Sequence, residues 1–428
     1  MNYIKSYFIN LSKFKLIVTA LLFISLFIFS SNIFGQDLQY AKQVLSTLCS
    51  KDFHGRGYTN KGDIIASKFI ATELKKNKVK KVSSSYFQNF EMPICYISDL
   101  GLLKIDSSTL KCGNDYIIYP GSFSCSGKYS LIRIDKQNIK DLYTKKLTES
   151  FLVIDTCLTN DKSIKDIINE IRHKNPMNAK GIITLVAKNT VQIEDSEPRS
   201  WVQMEITCNS FPENAKQIEI SFKSNYIEKY KTRNVVAVIP GKSDSIIAFS
   251  AHYDHLGEFG NVYFPGANDN ASGVTMLLDL CKTFSKEKPR YTMVFLFFTG
   301  EEIGLVGSQY FVANPLIKLN KIKFLLNLDL VGSGEDGITV VNGSVFKDEF
   351  EKLNKLNKEK NYLPIIKTRG AADNSDHAPF YRSKIKCFFI YAQGKTGPYH
   401  NSDDTPENCS LAKYEALTNL IIDFVKSY

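Results

Sequence analysis

Apolar and polar positions divide most of the chain into stretches with different periodicities. From residue 37 to about residue 93, apolar side chains recur at helical spacing, most clearly over residues 64–74, and this spacing predicts a packing helix. Between about 95 and 231, short apolar runs such as 116–119 and 151–154 are interrupted by Gly, Ser and Asn, with one helical stretch at 164–172. This middle region predicts a smaller, β-rich insert.

The region after residue 233 has a third pattern. Near-continuous apolar runs occur at 235–239, 246–251, 293–298 and 324–328, which is typical of strands covered on both faces. Amphipathic stretches at 271–284 and 302–312 lie between them and predict helices. The alternation predicts an α/β domain with a mixed, largely parallel central sheet. In such sheets, ligands bind beyond the carboxyl ends of the strands.

The first 35 residues have the pattern of an export signal. Lys5, Lys13 and Lys15 precede an uncharged apolar run at 16–29, and small residues follow before Gln36. We expect cleavage after Gly35, which predicts a secreted or periplasmic protein without stable membrane association; an uncleaved membrane anchor is the alternative. The predicted organisation is a signal peptide at 1–35, a helical part at 36–94, the insert at 95–232 and the main domain at 233–428.

Composition and charge narrow the class of protein. Of the 428 residues, 43% are hydrophobic and 23% are charged, as in globular proteins. The formal net charge is +10, but the lysines are scattered and lack the interleaved aromatic side chains of a nucleic-acid groove, so no nucleic-acid partner is expected. The nine cysteines form no C-x-x-C pair, which argues against a zinc finger and leaves disulfides and free thiols both open.

Side chains that bind metals occupy the positions where ligands are expected. Three of the predicted strands end within three residues of a His, Asp or Glu, and two loops supply one further residue each. The candidates are His252, Asp254, Asp269, Glu301, Glu302, Asp329 and His400. Because the carboxyl ends of parallel strands meet at one edge of a sheet, we expect these side chains to lie close together.

The residue types in this set favour a divalent metal cluster. Zinc binds imidazole nitrogen and carboxylate oxygen, and a catalytic zinc site keeps one position for water. Clustered carboxylates without cations repel one another, whereas two dications balance three ligand carboxylates and one hydroxide. Glu301 and Glu302 alone are equally typical of an acidic helix N-terminus. That reading does not account for His252 and His400.

Five sequence strings strengthen the metal hypothesis. They are H-Y-D-H at 252–255, G-A-N-D-N-A-S-G at 266–273, F-T-G-E-E at 298–302, N-L-D-L-V-G at 327–332 and P-Y-H-N-S-D-D-T at 398–405. Their order resembles that of the di-zinc aminopeptidase family, which also includes the glutamate carboxypeptidases. The resemblance covers residues 233–428 and implies a three-layer, phosphorylase/hydrolase-like α/β fold. More loosely, G-R-G at 55–57 and A-K-G-I-I at 179–183 resemble the N-terminal helix and the protease-associated insert of exported members.

Carried onto this sequence, the resemblance implies two zinc ions. His252 and Asp329 would bind one ion, Glu302 and His400 the other, and Asp269 would bridge them.

The resemblance also implies roles for residues that do not bind the ions. Asp254 would orient the His252 imidazole. Glu301 would be the general base that takes a proton from zinc-activated water, and Tyr399 would donate to the oxyanion. Asp376 would lie near the site. His255 and His377 neighbour the site in sequence, but the ligand set is complete without them, so packing or supporting roles are expected for both.

The predicted function is therefore peptide hydrolysis, most simply by an aminopeptidase, because the free α-amine of a peptide suits an acidic two-metal site. A carboxypeptidase-type dipeptidase is a variant of this hypothesis. A single-zinc glutaminyl cyclotransferase is a rival, disfavoured because Trp201 is the only tryptophan in the sequence. A receptor on an inactive peptidase scaffold is a second rival, disfavoured because every expected ligand is present.

Overall fold

The computed structural model of the chain describes residues 38–135, 137–155, 162–188, 195–259, 262–397 and 399–428. The helices of these residues are α1 (Leu38–Leu48), α2 (Gly62–Lys76), α3 (Ile139–Leu142), α4 (Lys162–Lys174), α5 (Ser272–Phe284), α6 (Val306–Ala313), α7 (Lys347–Lys360), α8 (His377–Arg382) and α9 (Tyr414–Lys426). The predicted signal peptide lies outside the described residues. No helix in the described ranges has the length and apolar character needed to cross a membrane.

The strands of the described residues form one large sheet and a small hairpin. They are β1 (Lys80–Lys81), β2 (Phe87–Ile105), β3 (Ser108–Thr109), β4 (Tyr116–Ile118), β5 (Cys125–Arg133), β6 (Ser150–Asp155), β7 (Gly181–Val186), β8 (Val202–Thr207), β9 (Gln217–Ile239), β10 (Ser243–His252), β11 (Glu258–Phe259), β12 (Val262–Tyr263), β13 (Tyr291–Phe298), β14 (Ile322–Leu328), β15 (Gly337–Val341), β16 (Ile366–Thr368) and β17 (Cys387–Gln393).

The main domain is built on the strand order β16-β15-β17-β14-β10-β13-β9. Strand β10 pairs in parallel with both β13 and β14, and β14 pairs in parallel with β17. The outer pairs β15–β17 and β13–β9 are antiparallel. This arrangement confirms the predicted mixed, largely parallel sheet.

Both faces of this sheet are covered by helices. Alternate residues of β10 point to opposite faces, so neighbouring residues of this strand pack in different cores. Phe249 packs in the larger core with α1, α2, α5 and α9, whereas Ala248 packs in a second core with Phe311 of α6 and Phe380 of α8. Each of these side chains is fully buried. The near-continuous apolar runs in the sequence therefore reflect helices on both faces, which confirms the three-layer α/β fold.

The strands of the insert continue the same large sheet beyond β9. Strands β5, β6, β7 and β8 pair in parallel, and β5 pairs antiparallel with the first half of β9. Strand β9 has 23 residues and pairs along much of its length with β2, which has 19. The predicted boundaries at 94/95 and 232/233 fall inside these two strands. A continuous β-ribbon, rather than a pair of flexible linkers, therefore joins the insert to the main domain.

Two details differ from the sequence expectations. In the helical part expected at 36–94, α2 coincides with the predicted packing helix and α1 precedes it, but the region ends in β1 and the start of β2 rather than in helix. The helix expected at 302–312 begins only at Val306, because Gly304 and Leu305 adopt positive φ angles of 108° and 61°. Glu301 and Glu302 therefore lie in a turn before α6 and not in its first turn.

Candidate metal centre

The parallel strands deliver the predicted residues to one edge of the main sheet. His252 is the last residue of β10, the Glu301–Glu302 turn follows β13, and Asp329 follows β14. Loops before α5 and α9 bring Asp269 and His400 to the same edge. The structure thus brings together all five residues that the sequence suggested as metal ligands.

Asp269 lies between two groups of donor atoms. Its Oδ1 is 3.3 Å from Nε2 of His252, which is also 3.3 Å from Oδ1 of Asp329. Its Oδ2 is 3.3 Å from Nε2 of His400, which is 2.9 Å from Oε2 of Glu302. The two oxygens of one carboxylate therefore each face a different histidine, with a second carboxylate beside each histidine.

These separations fit zinc. In a tetrahedral site with zinc–ligand bonds near 2.0–2.1 Å, neighbouring ligand atoms lie about 3.3 Å apart. The distances from His252 to Asp269 and Asp329 have this value. The donors are imidazole nitrogen and carboxylate oxygen, which is the chemistry that zinc prefers.

Glu301 lies near the same donors. An oxygen of Glu301 belongs to a group whose ligand atoms, with those of His252 and Asp329, lie within 4.8 Å of one another. Geometry alone therefore allows Glu301 either a ligand role or a role in proton transfer.

The backbone that carries Asp269 is fixed by two charged side chains far away in sequence. Asp404 accepts hydrogen bonds from the amides of Asn268 and Asp269 at 2.8 and 3.0 Å. Arg56, which is fully buried, donates to the carbonyl oxygens of Tyr253, Leu48, Pro265, Gly266 and Asp269. The Asp269–Asn270 peptide bond is cis. Sequence reasoning gave neither Arg56 nor Asp404 a role, although both lie in strings that it singled out.

Asp329 is oriented by a buried chain of hydrogen bonds. Ser375 Oγ donates to Asp329 Oδ2 at 2.7 Å, Asn327 Nδ2 donates to Ser375 Oγ at 2.8 Å, and Ser250 Oγ donates to Asn327 Oδ1 at 2.7 Å. This chain of hydrogen bonds ends on Oδ2 of Asp329, whose Oδ1 faces His252. Only Asp376, the neighbour of Ser375, had been considered from the sequence.

Asp254 contacts His252 as expected, but mainly through its backbone. Nδ1 of His252 is 3.2 Å from the carbonyl oxygen of Asp254 and 3.7 Å from Oδ1 of its carboxylate. The carboxylate also accepts the amides of Glu301 and Glu302, each at 3.4 Å, and the hydroxyl of Tyr58 at 2.8 Å. Asp254 therefore links His252 to the turn that carries both glutamates.

His255 supports the second group of donors. It is fully buried, and its Nδ1 lies 2.8 Å from Oε1 of Glu302. This contact leaves Oε2 of Glu302 facing His400. Gly266, which precedes Asp269 by three residues and has a φ of 58°, must remain glycine because a Cβ there would overlap the His255 ring and the Asp269 carbonyl. The supporting role expected for His255 is thus oriented towards Glu302.

Charges in the cluster are strongly coupled. Burial lowers the pKa of His400, but Glu302 and Asp269 raise it to about 11; burial raises the pKa of Glu302, but His400 lowers it to about 2. Burial, together with neighbouring carboxylates, raises the pKa of Glu301 well above its usual range. Burial likewise raises the pKa of Asp376 to about 7. The negative charge of these clustered carboxylates would be balanced by divalent cations bound between them.

A cavity of about 280 Å³ opens onto this cluster. It is lined by His252, Asp269, Glu301, Asp329, Leu330, Asn374, Phe389 and Tyr399. Tyr399 is 61% exposed and its ring stacks on His400 with centroids 3.8 Å apart. Glu301 and Tyr399 therefore border the same space as the metal-binding donors.

Known proteins share both the sequence and the fold of this domain. A sequence profile of peptidase family M28 matches residues 234–425. A probable leucine aminopeptidase of Arthroderma otae is 26% identical over 257 residues, covering 56% of this chain and 68% of that protein. A second one from the same fungus is 31% identical over 220 residues, covering 47% of this chain and 59% of that protein. Curated relatives are thus matched over only part of their length.

Solved structures match over a larger share of the chain. An aminopeptidase from Aneurinibacillus sp. strain AM-1 superposes with a TM-score of 0.65 at 18% identity, covering 92% of this chain and 93% of that one. A zinc aminopeptidase from Bacillus subtilis gives a TM-score of 0.67 at 17% identity, covering 91% and 94%. At such identities these structures establish the shared fold.

Proposed function

We propose that this chain, whose residues 234–425 match the sequence profile of peptidase family M28, is an exported two-zinc aminopeptidase. The proposed zinc ligands are His252, Asp269, Glu302, Asp329 and His400. The observation that carries the proposal is the position of Asp269, whose two oxygens each lie 3.3 Å from a different histidine. One bridging carboxylate between two donor groups suits a pair of ions.

The chain's own residues account for the proton movements of hydrolysis. Zinc, when bound, supplies Lewis-acid activation of water and of the scissile carbonyl. Glu301 borders the cavity and is held by Asp254 through its amide. It accepts a proton from the attacking water and returns that proton to the leaving amine as the C–N bond breaks. The hydroxyl of Tyr399 donates a hydrogen bond to the oxyanion.

The cavity supports a preference for peptides with a free N-terminus and an apolar first residue. Its polar end carries the proposed zinc ligands Asp269 and Asp329 together with Glu301, and a two-metal site of this kind suits a free α-amine. Its remaining wall includes Leu330 and Phe389, which suit an apolar side chain. The proposed substrate is therefore a peptide with an apolar residue at its N-terminus.

Export and the role of the insert are part of the same proposal. The leader at 1–35 is proposed to be removed, so that the mature enzyme begins near Gln36 and acts outside the cytoplasm. The insert at 95–232 is proposed to be a protease-associated-type domain. One face of its sheet packs with Phe259 and Phe264, which follow His255 closely in sequence. This packing supports a proposed role of the insert in shaping substrate access.

The decisive experiment combines metal analysis with a substrate screen of the purified mature chain. We expect close to two zinc ions per chain and hydrolysis of apolar aminoacyl amides, abolished by chelator and restored by zinc. Free dipeptides and glutaminyl peptides serve as comparison substrates. Full activity with one zinc, or cyclisation of glutaminyl peptides without amide hydrolysis, would contradict the proposal and favour the cyclotransferase.

A further inference from the structure

We propose that Tyr58 is a positioning residue of the metal centre that acts through Asp254. The inference rests on the proposed function, since it concerns how the same site is held in shape. Tyr58 belongs to the segment between α1 and α2, and 196 positions separate it in sequence from Asp254. No sequence string marks it as part of the site.

The hydroxyl of Tyr58 makes the shortest side-chain contact to the Asp254 carboxylate. It donates to Oδ2 at 2.8 Å, whereas the amides of Glu301 and Glu302 are each 3.4 Å from the carboxylate and Nδ1 of His252 is 3.7 Å away. Asp254 is fully buried, so its carboxylate is oriented by the protein donors around it. A buried carboxylate depends on such hydrogen bonds for its orientation.

Asp254 connects Tyr58 both to a proposed zinc ligand and to the turn that carries the proposed base. On one side it faces the imidazole of His252, a proposed zinc ligand. On the other side it accepts the amides of Glu301, the proposed base, and Glu302, a ligand of the other zinc. A shift of one carboxylate therefore moves a ligand and the base together.

The ring of Tyr58 holds the same turn from a second direction. It is 3% exposed and belongs to a small apolar cluster that includes Ile303, the residue directly after Glu302. The ring also packs edge-on against Tyr230 of β9, with centroids 5.5 Å apart. Tyr58 thus supports the glutamate turn in two ways, through the apolar cluster that includes Ile303 and through its hydrogen bond to Asp254. Its ring also packs on the β-ribbon that leads to the insert.

Tyr230 offers a matched control. Its hydroxyl also donates to a buried carboxylate, Oδ1 of Asp63, at 2.7 Å. Tyr230→Phe therefore removes a comparable buried hydrogen bond from a ring in the same cluster, together with a longer one of 3.4 Å to the backbone carbonyl of Tyr58, without touching Asp254. Both Phe variants keep their rings, and zinc release is measured at a temperature where circular dichroism shows both to be folded.

The test measures zinc release to a chromogenic chelator, together with kcat and KM on an apolar aminoacyl amide. We expect Tyr58→Phe to release zinc about tenfold faster and to lose about tenfold in kcat with KM within about twofold, as for other supporting contacts of metal ligands. Tyr230→Phe is expected to match the wild type in these measurements.

The outcomes separate this inference from the proposed function. Equal effects of both variants would show that the hydroxyls serve packing alone, and an unchanged Tyr58→Phe would exclude the positioning role. Wild-type protein that binds no zinc would instead contradict the two-zinc aminopeptidase itself.

Discussion

In both the main domain and the insert, the carboxyl ends of parallel strands meet at one edge of the sheet. The two edges differ in whether the charged side chains there are balanced by charges of opposite sign. In the insert, β5 ends at Arg133 and β6 at Asp155, and these side chains pair at 3.1 Å. In the main domain, the corresponding edge gathers Asp269, Glu302 and Asp329, whose side chains are 3–8% exposed. The first edge neutralises itself, and the second leaves a buried excess of carboxylates.

Arg56 shows that the excess of carboxylates at the metal centre is not due to the absence of a nearby cationic side chain. Its buried guanidinium lies close to the metal centre, yet it donates to five backbone carbonyls. It therefore fixes loop geometry and leaves the carboxylates to external cations. The comparison teaches that similar sheet topology gives a structural edge or a metal centre according to where the charges pair.

The largest effect is expected at Glu301, because the proposed general base is the feature that most distinguishes the metal-centre edge from the insert edge. Glu301→Gln keeps its size but removes the base, so kcat should fall by roughly 10²–10⁴ while zinc content is retained. Glu302→Gln should instead lose or weaken one zinc. Zinc stoichiometry, kcat and KM of both variants decide the roles. If Glu301→Gln loses metal and Glu302→Gln keeps both ions, the two assignments are reversed.

The ribbon between the two regions carries a buried carboxylate of its own. Asp63 accepts hydrogen bonds from Tyr230 and Thr232 of β9, each at 2.7 Å. Burial, which outweighs these hydrogen bonds, raises its pKa from 3.8 to about 6. The protonated form is thus favoured in the folded state, and its stabilising contribution is lost as pH rises from about 4 through 6.

Asp63→Asn removes this titration. We expect the free energy of unfolding of the variant, minus that of the wild type, to rise by about 2 kcal/mol between pH 4 and pH 7. Urea unfolding at several pH values measures the difference. A difference that stays constant with pH would show that the folded-state pKa of Asp63 is not raised.

Sequence alone predicts what is local, and the structure explains why the rest was missed. The strands β10, β13 and β14 are short apolar runs that end at or within three residues of His252, Glu301 and Asp329, so both the fold and the main candidates can be predicted from the sequence. Arg56 and Tyr58 reach the centre from about 200 positions away. Contacts of that separation depend on folding and leave no periodic signal; only the quoted G-R-G string hinted at Arg56.

A smaller effect is expected at Ser375, whose hydroxyl orients Asp329. Ser375→Ala removes one hydrogen bond from a ligand carboxylate, which should weaken zinc binding by roughly 10- to 100-fold. Ser150 in the insert is the matched control, because it is also buried and shares a 2.7 Å hydrogen bond with Ser130. Zinc competition titrations should show no change for Ser150→Ala. Equal weakening in both variants would point to a general loss of stability.

The smallest effect is expected at the insert's own strand edge. Asp155→Asn breaks the pair with Arg133, whose side chain is 36% exposed, so solvent screens the charge and the loss should stay below about 1 kcal/mol of unfolding free energy. Zinc content should stay the same and kcat/KM should change less than about twofold, because this edge is self-neutralised and supplies no ligand. Steady-state kinetics and urea unfolding of the variant test both statements. A tenfold loss of kcat/KM in folded, zinc-loaded protein would mean that the insert edge is coupled to the metal centre, most directly through the β2–β9 ribbon, and that the two edges are not independent.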